Sequence, residues 1–219
     1  MTKNRLISFR IFIVLIFAQF SANAQYSSED WIWRDSWMHL EKLFELADVG
    51  VGDSVADVGC HEGYLTMHLA QKVGSQTEVY AVDVRNDRLQ TLKATAKKRK
   101  IKNITTILGD YDNPKLPSNS LDVIFVIDTY HEISDYDKVL GHLKNSLKTD
   151  GKLVLLEKIK KRLVGKSREA QVSGHTLALS YVKKELQDAG FGIRIEIEDF
   201  GQWEEDPTKT MWVLIAEKL

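Results

Sequence analysis

From residue 54 onward, compact apolar runs alternate with stretches whose apolar residues recur every three or four positions. SVADVG (54–59), TEVYAVDV (77–84), NITTILGD (103–110), LDVIFVIDTYHE (121–132) and GKLVLLEKI (151–159) are short and rich in Val and Ile, as buried strands are. Between them, YLTMHLAQKV (64–73), RLQTLKATAKKRK (88–100) and a segment from about 135 to 147 have helical spacing, and a further helix is predicted from Leu179 to Ala189. Strands and helices alternating in this way predict an α/β fold, a mainly parallel sheet with helices on both faces.

The end of the chain breaks the alternation. FGIRIEIEDF (191–200) and TMWVLIAEKL (210–219) both read as strands, and GQWEEDPTK between them leaves no room for a crossover helix. So short a connection requires an antiparallel pair. The expected sheet has seven strands, mostly parallel, with the last one inserted antiparallel. The connections at 110–120 and 158–177 are the loops long enough to carry specificity.

Upstream, Trp33, Trp37, Leu40 and Phe44 recur at helical spacing behind Ser27 and Ser28, which predicts one or two helices ending near Gly50. Before them Lys3, Arg5 and Arg10 precede IFIVLIFAQF (11–20) and then Ser21-Ala22-Asn23-Ala24, the arrangement of a secretory signal. Its apolar core falls short of the roughly 20 residues of a membrane span. Residues 1–24 are therefore expected to be an export signal cleaved after Ala24, with an uncleaved membrane anchor as the alternative. Residues 25–219 are expected to form one domain, of which 25–50 are an amino-terminal helical segment.

Composition agrees with one globular domain, at 219 residues with 43% apolar and 28% charged. Loss of residues 1–24 removes three basic residues and no acidic one, moving the formal charge from −1 to −4. Such a balance does not favour binding to nucleic acid. Cys60 is the only cysteine, so no intrachain disulfide can form.

Ligands of open parallel sheets sit beyond the carboxyl ends of the strands. The first strand ends at Asp57-Val58-Gly59, Gly63 opens the following helix, and Asp83 ends the second strand, placed to accept from ribose hydroxyls. Together these describe a site for an adenosine-type cofactor. A nicotinamide dinucleotide site shares the plan but wants Gly-x-Gly-x-x-Gly, whereas here only Gly59 and Gly63 are present.

Asp57, Gly59 and Gly63 resemble the acid-x-Gly-x-Gly-x-Gly motif of the class I S-adenosylmethionine-dependent methyltransferases. The resemblance covers roughly residues 30–219. It implies a Rossmann-like fold, S-adenosyl-L-methionine as cofactor, Asp83 at the ribose and Asp110 near the adenine. His61, Val84, Tyr111 and Asp128 complete the cofactor-binding set it implies. His61 stands where the family has its middle glycine, a substitution the loop tolerates if the backbone there has negative φ.

Neither HExxH nor paired CxxC occurs, so Cys60, His61 and Glu62 are not expected to hold zinc, and no resident metal is expected. Nothing beyond the loop's helix amino terminus supports Cys60 as a nucleophile. Cys60 is expected to pack beneath the loop and Glu62 to be exposed.

The fourth strand delivers Asp128, Thr129, Tyr130, His131 and Glu132 to the cleft mouth, where the resemblance places acceptor contacts. His131 is the candidate base, with Glu132 or Asp128 as partner; the alternative has His131 capping the next helix or packing under the loop. Tyr130 either lines the methyl site or is core. TYHE (129–132) and Arg34-Asp35-Ser36-Trp37 also resemble a subgroup of small-molecule methyltransferases, which implies that the amino-terminal helix is a lid with Arg34 facing the cleft. Against this, Trp31, Trp33 and Trp37 have the spacing of residues that merely pack.

Lys158, Lys160, Lys161, Arg162, Lys166 and Arg168 form a basic stretch that selects an anionic acceptor, touches an acidic membrane surface or is simply solvated. Glu157 and His175 lie within reach of it. The expected function is methyl transfer to a small-molecule acceptor. The alternatives are an exported, non-catalytic module that binds a nucleoside or similar ligand, and a nicotinamide oxidoreductase, which the glycine spacing disfavours. Oligomeric state is not legible.

Overall fold

A computed structural model describes residues 28–219, with side chains from Trp31 onward; the expected export signal lies outside the described residues. Its elements run α1 (Ser28–Met38), α2 (Leu40–Ala47), β1 (Val55–Val58), α3 (Tyr64–Lys72), β2 (Val79–Asp83), α4 (Asn86–Lys98), β3 (Ile104–Leu108) and β4 (Leu121–Ile127). They continue with α5 (Tyr136–Ser146), β5 (Leu147–Lys160), α6 (Arg168–Val172), α7 (Leu179–Asp188), β6 (Phe191–Gln202) and β7 (Lys209–Lys218).

Seven strands form one sheet in the order β3-β2-β1-β4-β5-β7-β6. β1 pairs in parallel with β2 on one side and β4 on the other, Asp57 lying opposite Ala81 and Phe125. β7 runs antiparallel between β5 and β6, with Leu155 opposite Leu214 and Ile197 opposite Val213. The expected Rossmann-like sheet with its antiparallel last strand is what forms. Strand order reverses between β1 and β4, so the crevice lies beyond their carboxyl ends.

Alternation along the strands sends side chains to two separate cores. Val55, Phe125, Val154, Val213 and Ile215 pack with Leu43, Phe44, Met67 and Leu92 of α2, α3 and α4. Ala56, Ile124, Val126, Leu155 and Leu214 pack with Leu140, Leu143, Val182 and Leu186 of α5 and α7. Burying each Phe, Leu or Val completely contributes roughly 1.5–3 kcal/mol.

The amino-terminal helices break at His39, whose φ of 52° is left-handed. The break lets α1 lie against α3 while α2 joins the core. Asp35 of α1 accepts a hydrogen bond from the Tyr64 hydroxyl at 2.7 Å, and Nε2 of His68 lies 3.1 Å from the same oxygen.

The connection after β5, expected as a loop, contains α6, capped where Ser167 Oγ accepts from the Ala170 N–H at 3.3 Å. Buried Gln171 ties it together: its Nε2 donates to the carbonyls of Leu163 (3.2 Å) and Lys166 (3.0 Å), and its Oε1 accepts from the Ala178 N–H (2.7 Å). So short a helix, held by one side chain, leaves no periodicity to read. Among the described residues no helix is long and apolar enough to cross a membrane.

Candidate active site

A cleft of about 620 Å³ opens at the carboxyl ends of β1, β2, β3 and β4. Asp57, Gly59, His61, Asp83, Val84, Asp110, Tyr111, Asp128 and Glu132 all line it, so residues from four strand ends meet at one site. Gly63 and His131 are not among the lining residues.

The loop from Gly59 to Gly63 is built by backbone geometry. Gly59 (φ 80°) and Gly63 (φ 87°) are left-handed, and a β-carbon at Gly59 would run into the Thr129 side chain. At Gly63 it would come within 2.7 Å of Leu92 Cγ. Gly63 therefore acts by letting α3 pack against α4 rather than by touching a ligand.

His61 also has positive φ, at 51°, so the expected negative φ does not hold. Histidine is one of the few non-glycine residues enriched there, and the conformation costs of order 1–2 kcal/mol. Its N–H donates to Asp83 Oδ2 at 2.9 Å, while the Arg85 N–H donates to Asp83 Oδ1 at 2.9 Å. The carboxylate is thus fixed by two amides and keeps lone pairs on both oxygens. Burial first, and then the charge of Arg88, pull the His61 imidazole down to a pKa of about 4, which makes it neutral at pH 7.

Asp57 is buried beneath the loop and accepts from the Thr66 hydroxyl at 2.6 Å. Burial pushes its pKa up to about 6, against the pull of Thr66 and Arg34. Cys60 is buried and burial holds its thiol protonated, as a packing residue should be. Glu62 is not exposed as expected: it is buried in an ion pair with Arg88 of α4. A charged residue in a turn reads as solvated unless its partner is known, and here the partner comes from another helix.

Beyond β3, Asp110 faces Lys115, with Oδ1 2.8 Å from Nζ. Val84 and Tyr111 remain exposed beside it. Apolar side chains flanking a carboxylate suit a flat, hydrogen-bonding ring.

His131 lies behind the cleft wall rather than on it. It is buried, with Nδ1 2.8 Å and 3.0 Å from the two carboxylate oxygens of Glu157, and Nε2 3.1 Å from Glu132 Oε1. Burial alone would lower its pKa, but the hydrogen bond and charge of Glu157, with Asp128 behind them, raise it above the ordinary value. An imidazole whose two nitrogens both face carboxylates of the chain is poorly placed to take a proton from an acceptor. Asp128 lines the cleft with φ 49°, bonded to Lys158, and burial with the charge of Glu157 lifts its pKa to about 6. Tyr130 is core, donating to Glu185 Oε2 at 2.9 Å.

The basic stretch does not enter the cleft: none of its six residues lines it. Lys158 is taken by Asp128, Lys160 by the Gly174 carbonyl at 2.6 Å, and Arg168 by Glu185 at 2.6 Å. Lys161, Arg162 and Lys166 are exposed.

Trp31 and Arg34 of α1 do line the cleft, together with Trp203 from the turn between β6 and β7. The Arg34 guanidinium lies 4.3 Å from the Tyr64 ring centre and 5.6 Å from that of Trp203. Trp37 packs edge-on to Trp203 at 4.8 Å, and Trp31 to Tyr64 at 5.7 Å. Of the three α1 tryptophans only Trp33 is exposed. Packing and cleft-facing readings of this helix therefore hold together. Tyr64, Arg85 and Trp203 are among the lining residues that the sequence did not reveal; a lone tryptophan in the charged turn GQWEEDPTK was the available signal for the last.

Among similar solved structures is a SAM-dependent methyltransferase from Aquifex aeolicus, with TM-score 0.72 and 23% identity, covering 89% of this chain and all of that one. The [4+2]-cyclase SpnF is also similar, with TM-score 0.67 and 16% identity over 83% of this chain and 81% of that one. At these identities the likeness is one of fold. In sequence, the chain is 31% identical to the (S)-coclaurine N-methyltransferase of Thalictrum flavum subsp. glaucum, over 52% of this chain and 31% of that protein. It is 30% identical to the demethylmenaquinone methyltransferase of a Geobacillus strain, over 57% of this chain and 53% of that protein. The matches thus span about half or less of these curated relatives. A family model described as a methyltransferase domain matches residues 50–205, from just after α2 to the turn before β7, and the chain belongs to that family.

Proposed function

We propose that the domain binds S-adenosyl-L-methionine in the cleft and transfers its methyl group to a small-molecule acceptor. The observation that carries the reading is Asp83, a carboxylate fixed by two backbone amides at a cleft wall with lone pairs left for a ribose diol. The cleft also fits in size, at about 620 Å³ within the roughly 300–1,000 Å³ of small-molecule pockets. Val84 and Tyr111 would flank the adenine, and Asp110 would accept from its amino group. Buried Asp57 lies below the loop, where a carboxylate favours the cationic methionine end.

Bound S-adenosylmethionine supplies a methyl on a positively charged sulfur. The chain's task is to hold the acceptor in line with it and to exclude water. Asp128 and Glu132, which line the cleft, would be the carboxylates at that end. Asp128, with a pKa of about 6, is ionised at neutral pH and can take the acceptor's proton. Arg34, Trp31 and Trp203 would close over the ligand, with α1 as the lid. The basic stretch lies outside the cleft, so selection of an anionic acceptor has little support.

The second reading, a non-catalytic exported module that binds a nucleoside or similar ligand, rests on the fact that one fold serves many functions. Calorimetric titration with S-adenosylmethionine, S-adenosylhomocysteine and NAD tests the cofactor, and methyl release from labelled S-adenosylmethionine separates the enzyme from the binding module. Micromolar binding of the first two and none of NAD is expected; silence toward all three would sink the cofactor reading. Export rests on the sequence of residues 1–24 and is tested by a compartment reporter fused after Ala24, where a cytoplasmic signal would refute it.

A further inference from the structure

Two groups of side chains among the described residues bring three nitrogen or oxygen ligand atoms within 4.8 Å of one another, and both contain His131. One, with Asp128 and Glu157, is closed: Asp128 is bonded to Lys158, and Glu157 is completely buried against His131 Nδ1. An ammonium already occupies the place of a cation there. The other joins His131, Glu132 and His175, and it is open, with the side chains of Glu132 and His175 58% and 70% exposed. Glu132 lines the cleft, so this group stands at the cleft's edge.

We propose that His131 Nε2, the Glu132 carboxylate and His175 Nδ1 form a binding site for one divalent transition-metal ion of the zinc and cobalt type. The ligand atoms already converge, since Glu132 Oε1 lies 3.1 Å from His131 Nε2 and 2.7 Å from His175 Nδ1. Ligands on one metal at about 2.0–2.2 Å are separated by similar distances. Two imidazoles and one carboxylate are borderline donors suited to such an ion.

Glu157 supplies the usual support behind a metal-bound histidine. By accepting the Nδ1 proton of His131 it fixes the ring and leaves Nε2 as the coordinating atom. The buried histidine is the rigid ligand, and the two exposed residues are free to adjust around the ion.

Three protein ligands leave at least one position for water or an oxygen ligand. Because Glu132 faces the cleft, that position would meet the acceptor end. A hydroxyl bound there would lose its proton more readily. This last role rests on the methyl-transfer reading; metal binding itself does not.

The test uses the tag-free chain, stripped of metal by chelator and titrated with Co²⁺. Expected are one ion per chain with visible absorption, affinity at least tenfold weaker in His175→Ala and Glu132→Gln, and unchanged affinity in His142→Ala. His175 is exposed, so its variant keeps the fold. Acetohydroxamate, a bidentate oxygen ligand, should shift the Co²⁺ spectrum through the open position. No stoichiometric binding, or equal binding by His175→Ala, would leave only a hydrogen-bond chain and overturn the proposal, and an unmoved spectrum would overturn the open position. S-adenosylhomocysteine binding measured on the metal-free chain separates the two readings: if it binds while cobalt does not, the metal site fails alone.

Discussion

The His61 N–H donates to Asp83 Oδ2 at 2.9 Å, so the loop after β1 and the end of β2 are locked together by a residue in left-handed conformation. The link uses the backbone of His61, and the side chain carries the strain. His61→Gly should keep the link and relieve the strain. Thermal unfolding should show a gain of about 1 kcal/mol, or ~2–4 °C. Affinity for S-adenosylhomocysteine should stay within about threefold. A large loss of affinity would mean that the imidazole contacts the ligand.

Gly59→Ala should fail in two ways at once. Its φ of 80° is unfavourable for alanine, and the new methyl meets Thr129. A loss of roughly 2–3 kcal/mol in urea unfolding is expected. Pairing it with Thr129→Gly should recover part of the loss, because the clash goes while the backbone strain stays.

Glu62 and Arg88 form a buried ion pair between the loop and α4. Removing one partner strands the other charge, so Glu62→Ala should cost about 3–5 kcal/mol. The double variant Glu62→Leu with Arg88→Met should recover much of that stability. A small effect from the single variant would show the pair to be solvated.

Asp57 makes stability depend on pH. Its folded pKa, about 6, exceeds the ordinary 3.8, so the folded state holds the proton more tightly than the unfolded chain. Stability from this group is therefore full below about pH 4 and falls as pH rises to about 6, by about 3 kcal/mol. Asp57→Asn should lack the fall. Denaturation at pH 4 and pH 7 should show the variant gaining on the parent chain across that interval.

The sequence revealed what regular spacing carries. Seven strands, the antiparallel end and the meeting of Asp57, Gly59, Asp83 and Asp110 follow from short Val-rich runs in a parallel sheet, whose carboxyl ends share one edge. What stayed hidden depends on partners distant in sequence. His131 is set by Glu157, which only the β4–β5 register brings beside it. Glu62 is set by Arg88, and the cleft-lining Trp203 by the way β6 and β7 fold back toward α1. The sign of φ at His61 belongs to a loop with no period, and no local pattern announces it.

The central claim is that Asp83 holds the ribose of an S-adenosyl ligand. Calorimetric titration of S-adenosylhomocysteine into the parent chain and into Asp83→Ala tests it directly. Two hydrogen bonds from a ribose to an ionised carboxylate contribute roughly 3 kcal/mol together, so the variant should bind about a hundredfold more weakly. Equal affinity in the two proteins would contradict the account.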